Sequence, residues 1–593
     1  MSARTVFTVL EETVAQQGSA PALHQPKGDG KYTVYTWNDY RTAVIEIGLG
    51  LADLGVVHGD IVAIQSETRA EFYLVDLAIM SIGAISAGLY SSYPALDQVK
   101  NLKACGARVL VIEDAKQMAA IANVMKTQPL PIEFVLITGQ VEGARTLDGL
   151  RATGRRKLSE DAEAFAKLAA RVSPSDPAIL YLTSGATGEP KMGLATHASI
   201  SLNVDMGPHV LPLGPADRAL VFLPSAHIAQ RIVMQFLMMR MAVPCYFSES
   251  LARMPGELKS LKPTFLLAPP RVWERIYASI KTEVNKKGAL TQRLFHAAVG
   301  LGLKASEYRQ KGEHVPAWIA TLLGWADKLV FAKLRERLGN SIRVALSGAA
   351  PLGQDTAMFF DAIGMPITEG YGLTEGGVLT INPVDRQVYG TIGKPLPGVE
   401  VKLAEDGELL VKSPTLFAGY YHDPAATASI MRDGWLATGD IASISADGYV
   451  SITGRKKEIL VSSSGKKIYP ARIEALFKGE ALISQMVLVG DRLPFVTALF
   501  TINPAVAETL PGMDQGQSFG NAKPIDEQLR RAVKQANATL PEWEQIRKFR
   551  VLNRDFSVDT GELTPTMKVR RGKVLENFKD EVSALYGGKE ESH

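Results

Sequence analysis

A chain of 593 residues is too long to organise around one hydrophobic core, so two or more domains are expected. Apolar residues make up 46% and charged residues 21%, as in ordinary globular proteins, and a net charge of +3 gives no reason to expect a nucleic-acid partner. Cys105 and Cys245 are the only cysteines, which excludes a disulfide framework and suits a reducing cytoplasm.

Glu11 and Glu12 interrupt the apolar patch at the N-terminus, so no signal peptide is expected there; Phe7, Leu10 and Val14 fit one face of a short helix. Residues 33–60 read as a strand pair leading into a helix over 37–54, stopped by Gly55. Strands are expected at 60–65, 84–89, 108–112 and 132–137, alternating with helices at 71–83 and 95–104. That alternation indicates parallel α/β layers. The polar, charged segment 140–172 reads as a surface excursion.

A strand end at 179–182 then runs into residues 181–197, YLTSGATGEPKMGLATH. Gly185 and Gly188 permit backbone angles that other residues resist. Thr183, Ser184 and Thr187 supply hydroxyls, and closely spaced backbone N–H groups can form an anion-binding concavity. Lys191 adds a point charge able to sit against a phosphate. The run reads either as a loop that closes over a polyphosphate or as a polar surface turn; its spacing is not the GxxxxGK[ST] of a nucleotide P-loop.

A helix is expected at 197–203 and a strand at 219–222, running into LPSAHIAQR. His227 falls just after that strand, where α/β folds place ligand contacts, although a purely structural histidine is the competing reading. The most apolar stretch, 228–247, is broken by Arg231 and Arg240 and reads as a buried element rather than a bilayer span. Peripheral membrane contact stays open. In LKPTFLLAPPRVWERIY (261–277), Pro269 and Pro270 end a strand and a helix follows, with Trp273 and Tyr277 as packing residues. Residues 281–340 form a long helical stretch broken near Gly312 and Pro316, with Leu322, Trp325, Leu329 and Phe331 expected to pack on the core rather than to wall a long tunnel.

A strand at 342–346 precedes Gly348 and Ala349, which are small enough for a flat ring to approach the backbone. Another, at 365–368, leads to the turn-like EGYGLTEGG. There Tyr371 offers either an adenine face or plain packing, while Thr374 and Glu375 put a hydroxyl and a carboxylate on one turn, a set suited to Mg²⁺. From residue 390 short strands with Gly/Asp turns suggest an antiparallel, barrel-like subdomain. Asp440, expected at a turn, either accepts both ribose hydroxyls or caps that turn. GRKKEILVSSSGKKIYP (454–470) has the composition of a linker. Beyond it a small α+β domain is expected, with helices at 471–477 and 525–537, a final helix within 569–586, and strands at 486–489, 496–500 and 549–552. Lys568, beside Arg570, Arg571 and Lys573, reads from charge alone as part of a solvated face.

Over about residues 33–585 these motifs, in this order, resemble the adenylate-forming superfamily of acyl-CoA synthetases, luciferases and peptide-synthetase adenylation domains. TSGATGEPK is similar to the family's TSGTTGxPKG, departing at Ala186, which loses a hydroxyl, and at Met192, which stiffens the loop exit. LPSAHIAQR, PPRVWERIY and ELTPTMKVRR resemble the long-chain acyl-CoA synthetase branch. The resemblance implies a large N-terminal domain of parallel α/β sheets plus a distorted antiparallel barrel (1–453), a hinge (454–470) and a small mobile α+β C-terminal domain (471–593). It implies a fatty acid, ATP, Mg²⁺ and CoA as ligands. Thr183, Ser184, Gly185, Ala186, Thr187, Gly188 and Lys191 would hold phosphates. Gly348, Ala349, Glu369, Gly370, Tyr371, Gly372 and Thr374 would hold the nucleotide, and Asp440 the ribose. Arg455 would contact ribose or α-phosphate, Lys457 would be the pivot, and Gly465 would line the pantetheine tunnel. Glu375 and Thr183, or Thr187, would hold the metal. Lys568, Glu375, Thr187 and His227 would be catalytic, Lys568 by bridging the carboxylate and the α-phosphate.

The implied activity is AMP-forming ligation of a medium- or long-chain fatty acid to CoA, by a monomer or homodimer that is cytoplasmic or peripheral at the inner membrane face. Two other readings remain: a fatty-acyl-AMP ligase serving a carrier protein, and a non-enzymatic lipid- or nucleotide-binding relative. No insertion follows residue 454 of the kind expected to block a hinge, which favours CoA.

Overall fold

The computed structural model describes residues 2–184, 190–463, 465–513, 518–564 and 568–587, without the side chains of Thr183, Ser184 and Pro190. Gly185, Ala186, Thr187 and Gly188 lie outside the described residues.

Two large sheets carry the N-terminal part. In the first, Ile61–Gln65, Ile85–Leu89, Val109–Ile112, Glu133–Leu136, Arg145–Thr146 and Pro177–Ser184 run parallel, and Pro190–Thr196 and Gly419–Tyr420 close one edge antiparallel. Every residue of Ile61–Gln65 and Ile85–Leu89 is buried, so these strands are covered on both faces and show no alternation in the sequence. In the second sheet Pro21–Gly28, Cys245–Phe247, Ala219–Val221, Phe265–Ala268, Val344–Ser347 and Ile367–Leu373 form the parallel centre. Lys31–Thr36 lies antiparallel at one edge, Gly377–Ile381 and Lys394–Pro395 at the other. A third, wholly antiparallel half-barrel sheet is built from Glu400–Leu403, Glu408–Lys412, Met431–Arg432, Trp435–Ile444 and Val450–Arg455. The C-terminal lobe has its own three-stranded sheet, Ile483–Val489, Val496–Ile502 and Ile546–Val551. Its apolar clusters form around Phe500 and Leu529 and around Val574 and Phe578. Among the described residues no hydrophobic cluster is shared between this lobe and the rest.

The helix Trp37–Asp53 starts at a capping box on Thr36 and Asp39, as a Thr-x-x-Asp start should. Residues 140–172 depart from expectation, because they hold the helices Leu147–Glu160 and Ala164–Ala169. Leu147, Leu150 and Gly154 turn inward against Trp37–Asp53, where a Cβ on Gly154 would stand 1.9 Å from the Glu46 carbonyl oxygen. Arg151 and Arg155 on the same helix reach the buried Glu46 carboxylate at 2.7 and 3.1 Å. Only three inward positions among so many charges left the amphipathy invisible in the composition.

The apolar stretch after His227 is the buried element expected: a π-helix, Gln230–Leu237, whose residues are all buried. Arg231, fully buried, ion-pairs with the equally buried Asp76, which also accepts from Ser86 Oγ at 2.5 Å and Gln235 Nε2 at 2.9 Å. Two further expectations fail locally. The strand Ile367–Leu373 runs straight through the EGYGL segment, and Asp440 lies inside the strand Trp435–Ile444 rather than at a turn. Glycines read as turn formers because cross-strand pairing cannot be seen from one strand alone. The C-terminal helical stretch is two helices, Arg571–Asn577 and Lys579–Tyr586, broken at Phe578. In the 281–340 region Ile319 and Phe331 are buried, but Leu322, Trp325 and Leu329 are exposed rather than packed.

Candidate active site

A cleft of 2530 Å³ opens where the second sheet, the half-barrel and the C-terminal lobe meet. Such a volume exceeds that of a single drug-sized site and leaves room for several substrates together. Its floor comes from residues that follow the parallel strands Phe265–Ala268 and Val344–Ser347, as expected for ligand sites in α/β sheets. Lys191, His227, Gly348, Ala349, Glu369, Gly370, Tyr371, Gly372, Thr374, Glu375, Asp440, Arg455, Lys457 and Lys568 all line it.

Gly348 packs against the Gly370 backbone: a Cβ there would meet the Gly370 carbonyl oxygen at 3.3 Å. Ala349 sits at φ 70°, a left-handed conformation that costs a residue with a Cβ some energy. The hydroxyl of Tyr371 donates to Asp440 Oδ2 at 2.6 Å, and Arg455 Nε meets Asp440 Oδ1 at 3.0 Å. The carboxylate is therefore fixed from both sides while each oxygen keeps a lone pair for a further donor. Pairing of Asp440 with Arg455 across two antiparallel strands sets this arrangement.

Thr374 and Glu375 stand on the turn between Ile367–Leu373 and Gly377–Ile381, as expected. Glu375 Oε1 accepts from the Tyr420 hydroxyl at 2.5 Å, and the Lys191 ammonium lies 4.8 Å from the centre of the Tyr420 ring. Tyr420 thus ties the end of the Gly/Ser/Thr-rich segment to the Glu375 turn. Nothing in its local sequence announces this, because the link depends on Gly419–Tyr420 pairing with Pro190–Thr196. Met192 continues that strand opposite Leu182.

Lys568 reaches the cleft from the C-terminal lobe. Its backbone N–H donates to Thr564 Oγ1 at 3.0 Å, and its carbonyl accepts from the Thr564 N–H at 2.8 Å. The residue is open to the water of the cleft, yet protein surrounds its head group. Burial and then the positive charge of Arg455 lower its pKa to about 8, against the opposing pull of Asp440 and Glu458. His227 is pushed down to about 3, by burial first and then by the Lys568 charge. Its Nδ1 accepts from the Ala229 N–H at 3.2 Å, which leaves the proton of the neutral ring on Nε2. Glu369, 5% exposed, is raised by burial to about 7; its Oε2 accepts from the Leu352 N–H at 3.1 Å.

Lys457 lies on a single 3₁₀ turn, Lys456–Glu458, at the entry to the C-terminal lobe. Its neighbour Lys456 makes the ion pairs there, to Asp406 at 2.6 Å and Glu408 at 2.9 Å. Gly465 stands apart from the cleft with φ 79° and open space around a would-be Cβ, so in this arrangement backbone angle rather than volume asks for glycine. Across the lobe seam Arg271 Nη2 donates to Ser484 Oγ at 2.8 Å, and Lys478 meets the Pro351 carbonyl and, at 3.8 Å, Glu274.

Residues 10–421 match the family described as AMP-binding enzyme, and residues 457–590 match the AMP-binding enzyme C-terminal domain. The chain belongs to the AMP-binding enzyme family. Within that family it is 38% identical over 579 residues to the long-chain-fatty-acid–CoA ligase FadD15 of Mycobacterium tuberculosis, a match covering 95% of this chain and 94% of the relative. It is 28% identical to the peroxisomal long chain acyl-CoA synthetase 6 of Arabidopsis thaliana, covering 94% and 82% of the two chains. Among solved structures, the adenylation domain of a carboxylate reductase from Mycobacterium chelonae superposes with a TM-score of 0.75 at 20% identity, over 99% of this chain and 92% of that one. ATP-bound MatB from Rhodopseudomonas palustris gives 0.69 at 20% identity, over 98% and 100%. These two likenesses bear on the fold.

Proposed function

We propose that this AMP-binding enzyme activates a medium- or long-chain fatty acid with ATP to acyl-AMP and then transfers the acyl group to CoA, releasing AMP and pyrophosphate. The supporting observation is the meeting, in one cleft, of Lys568 from the C-terminal lobe with the fixed Asp440 carboxylate and the Glu375–Tyr420–Lys191 group. Near full-length similarity to long-chain-fatty-acid–CoA ligases supplies the acid class.

In the first half-reaction a carboxylate oxygen attacks the α-phosphorus of ATP and pyrophosphate leaves. Negative charge crowds where carboxylate and α-phosphate meet, and the Lys568 ammonium would offset it. Asp440 would accept the ribose hydroxyls, with Arg455 and Tyr371 holding it still. Lys191 and the segment before it would hold the β- and γ-phosphates. The oxygen donors of Thr374 and Glu375 suit magnesium, which takes few protein ligands and shares the triphosphate. When bound, magnesium would offset phosphate charge. In the second half-reaction the CoA thiol attacks the acyl carbon and AMP leaves. Lys568 faces the cleft in the arrangement described, so bringing a CoA site to face the same centre would call for the lobe to turn, with the domain division at 454–470 and Lys457 as pivot. Peripheral contact with a lipid surface belongs to the same reading, since the acid is itself a membrane amphiphile.

Lys568→Ala tests the assignment. Acid-dependent pyrophosphate release should fall by ~10²–10³, the usual cost of losing one pre-placed donor, while thioester formation from supplied acyl-AMP persists. Equal loss of both halves would sink the assignment. Running the intact enzyme over a panel of acids, with and without CoA, separates a CoA ligase from an enzyme that stops at acyl-AMP.

A further inference from the structure

The helices Ala289–Gln310 and Ala317–Ala326, the second continued by the π-turn Asp327–Phe331, form a hairpin on the outside of the second sheet's helical layer. The first is seated closely: a Cβ on Gly302 would stand 2.4 Å from the Ala362 carbonyl oxygen. The second has two apolar stripes. Ile319 is fully buried, and Leu323, Ala326 and Val330 pack against the core. Trp318, Leu322, Trp325 and Leu329 follow at i, i+4, i+7 and i+11, one helical face, and are 48–65% exposed. Leu290 and Leu294 on the neighbouring helix add 82% and 47% exposed side chains. A helix that is apolar on both faces has a second face to cover.

The hairpin together with its flanks is cationic in sequence. Residues 286–333 hold eight Lys and Arg against three Asp and Glu. Among the described residues Lys286, Lys287, Arg293, Lys311, Lys328 and Lys333 make no ion pair, whereas Asp327 is neutralised by Arg335 at 2.6 Å. Lys304 holds its ammonium 6.0 Å from the Trp318 ring centre. Two tryptophans and several leucines exposed on a lysine-rich segment match the chemistry of a bilayer interface: indoles at headgroup depth, ammonium groups on anionic lipid. A second copy docking through the same face would set like charges against each other across the two-fold. No helix among the described residues is long and apolar enough to cross a membrane, so attachment would be to the surface only.

We infer that the outer face of the 289–331 hairpin docks the enzyme onto anionic phospholipid bilayers through Trp318, Leu322, Trp325 and Leu329.

The test is flotation of the full chain with vesicles of phosphatidylcholine, or of phosphatidylcholine with about a third phosphatidylglycerol, at low and high salt. Light scattering without lipid is run in parallel. Wild type should float with the anionic vesicles, with a blue shift in tryptophan emission and less binding at high salt. The double variant Trp318→Gln/Trp325→Gln should lose at least ~10-fold in partition, and Lys328→Glu/Lys333→Glu should lose binding to the anionic vesicles selectively. Both variants should keep wild-type turnover of a short acid such as octanoate. No wild-type flotation at low salt, equal flotation of the tryptophan variant, or a lipid-free dimer abolished by that variant would each overturn the inference; the last would give the face to a second copy. Flotation is read without turnover, so this inference and the catalytic reading fail separately.

Discussion

Lys568 carries a prediction that depends on where it stands rather than on its presence. With its pKa lowered to about 8, chiefly by burial, about nine-tenths of free enzyme holds the ammonium form at pH 7 and about one-tenth at pH 9. An ordinary lysine near 10.4 would stay almost fully charged across that range. If the ammonium is needed at the α-phosphate, kcat/KM for acid-dependent pyrophosphate release should fall about tenfold between pH 7 and pH 9, because that ratio reports the free enzyme. The kcat profile should hold to higher pH, since bound triphosphate adds negative charge and favours the ammonium. His227, held near 3, stays neutral throughout and adds no limb. The assay is a coupled pyrophosphate measurement with octanoate, without CoA, in constant ionic strength buffers. Lys568→Arg assigns the limb: its charge does not titrate in this range, so the alkaline fall should vanish even if the rate is lower. A flat wild-type profile to pH 9, or the same fall in Lys568→Arg, would refute the reasoning.

Two predictions concern the fold around the cleft. Glu369 is raised to about 7 by burial, so its protonated form contributes stability that is full below the unfolded value near 4.5 and is lost as pH rises through 7; the stability of Glu369→Gln relative to wild type should improve by about 2–3 kcal/mol between pH 5 and pH 8 in denaturant melts, and a pH-independent difference would place the carboxyl in a wetter setting. Asp76→Asn, which leaves the fully buried Arg231 without its counter-charge, should cost about 3–5 kcal/mol by urea unfolding, while Asp76→Leu/Arg231→Met should recover much of that; additive losses would contradict the pairing.

The chain order of motifs made the parallel layers, the antiparallel subdomain and the α+β lobe legible, because buried strands such as Ile61–Gln65 are apolar throughout and the turns between later strands are glycine-rich. The family resemblance named Asp440, Arg455, Glu375 and Lys568, and the fold brings all four to one cleft. What escaped was whatever depends on partners distant in sequence. Tyr420 joins Glu375 only because a two-residue strand pairs beside Lys191. The helix Leu147–Glu160 hides three inward positions among charges. Trp325 and Leu329 looked like core residues, since hydropathy records what a side chain avoids and not which surface covers it.

The seam between the lobes has a thermodynamic consequence. Among the described residues each lobe keeps its apolar clusters to itself, and the side-chain hydrogen bonds and ion pairs that Arg271 and Lys478 make across the boundary are of a kind that water readily replaces. A partly wetted ion pair typically holds no more than ~1 kcal/mol. Such a boundary is a weak lock: if the lobe turns as proposed, the bias toward one posture would come from whichever reactant fills the gap, so nucleotide, adenylate and thiol would each choose the posture that suits its own step.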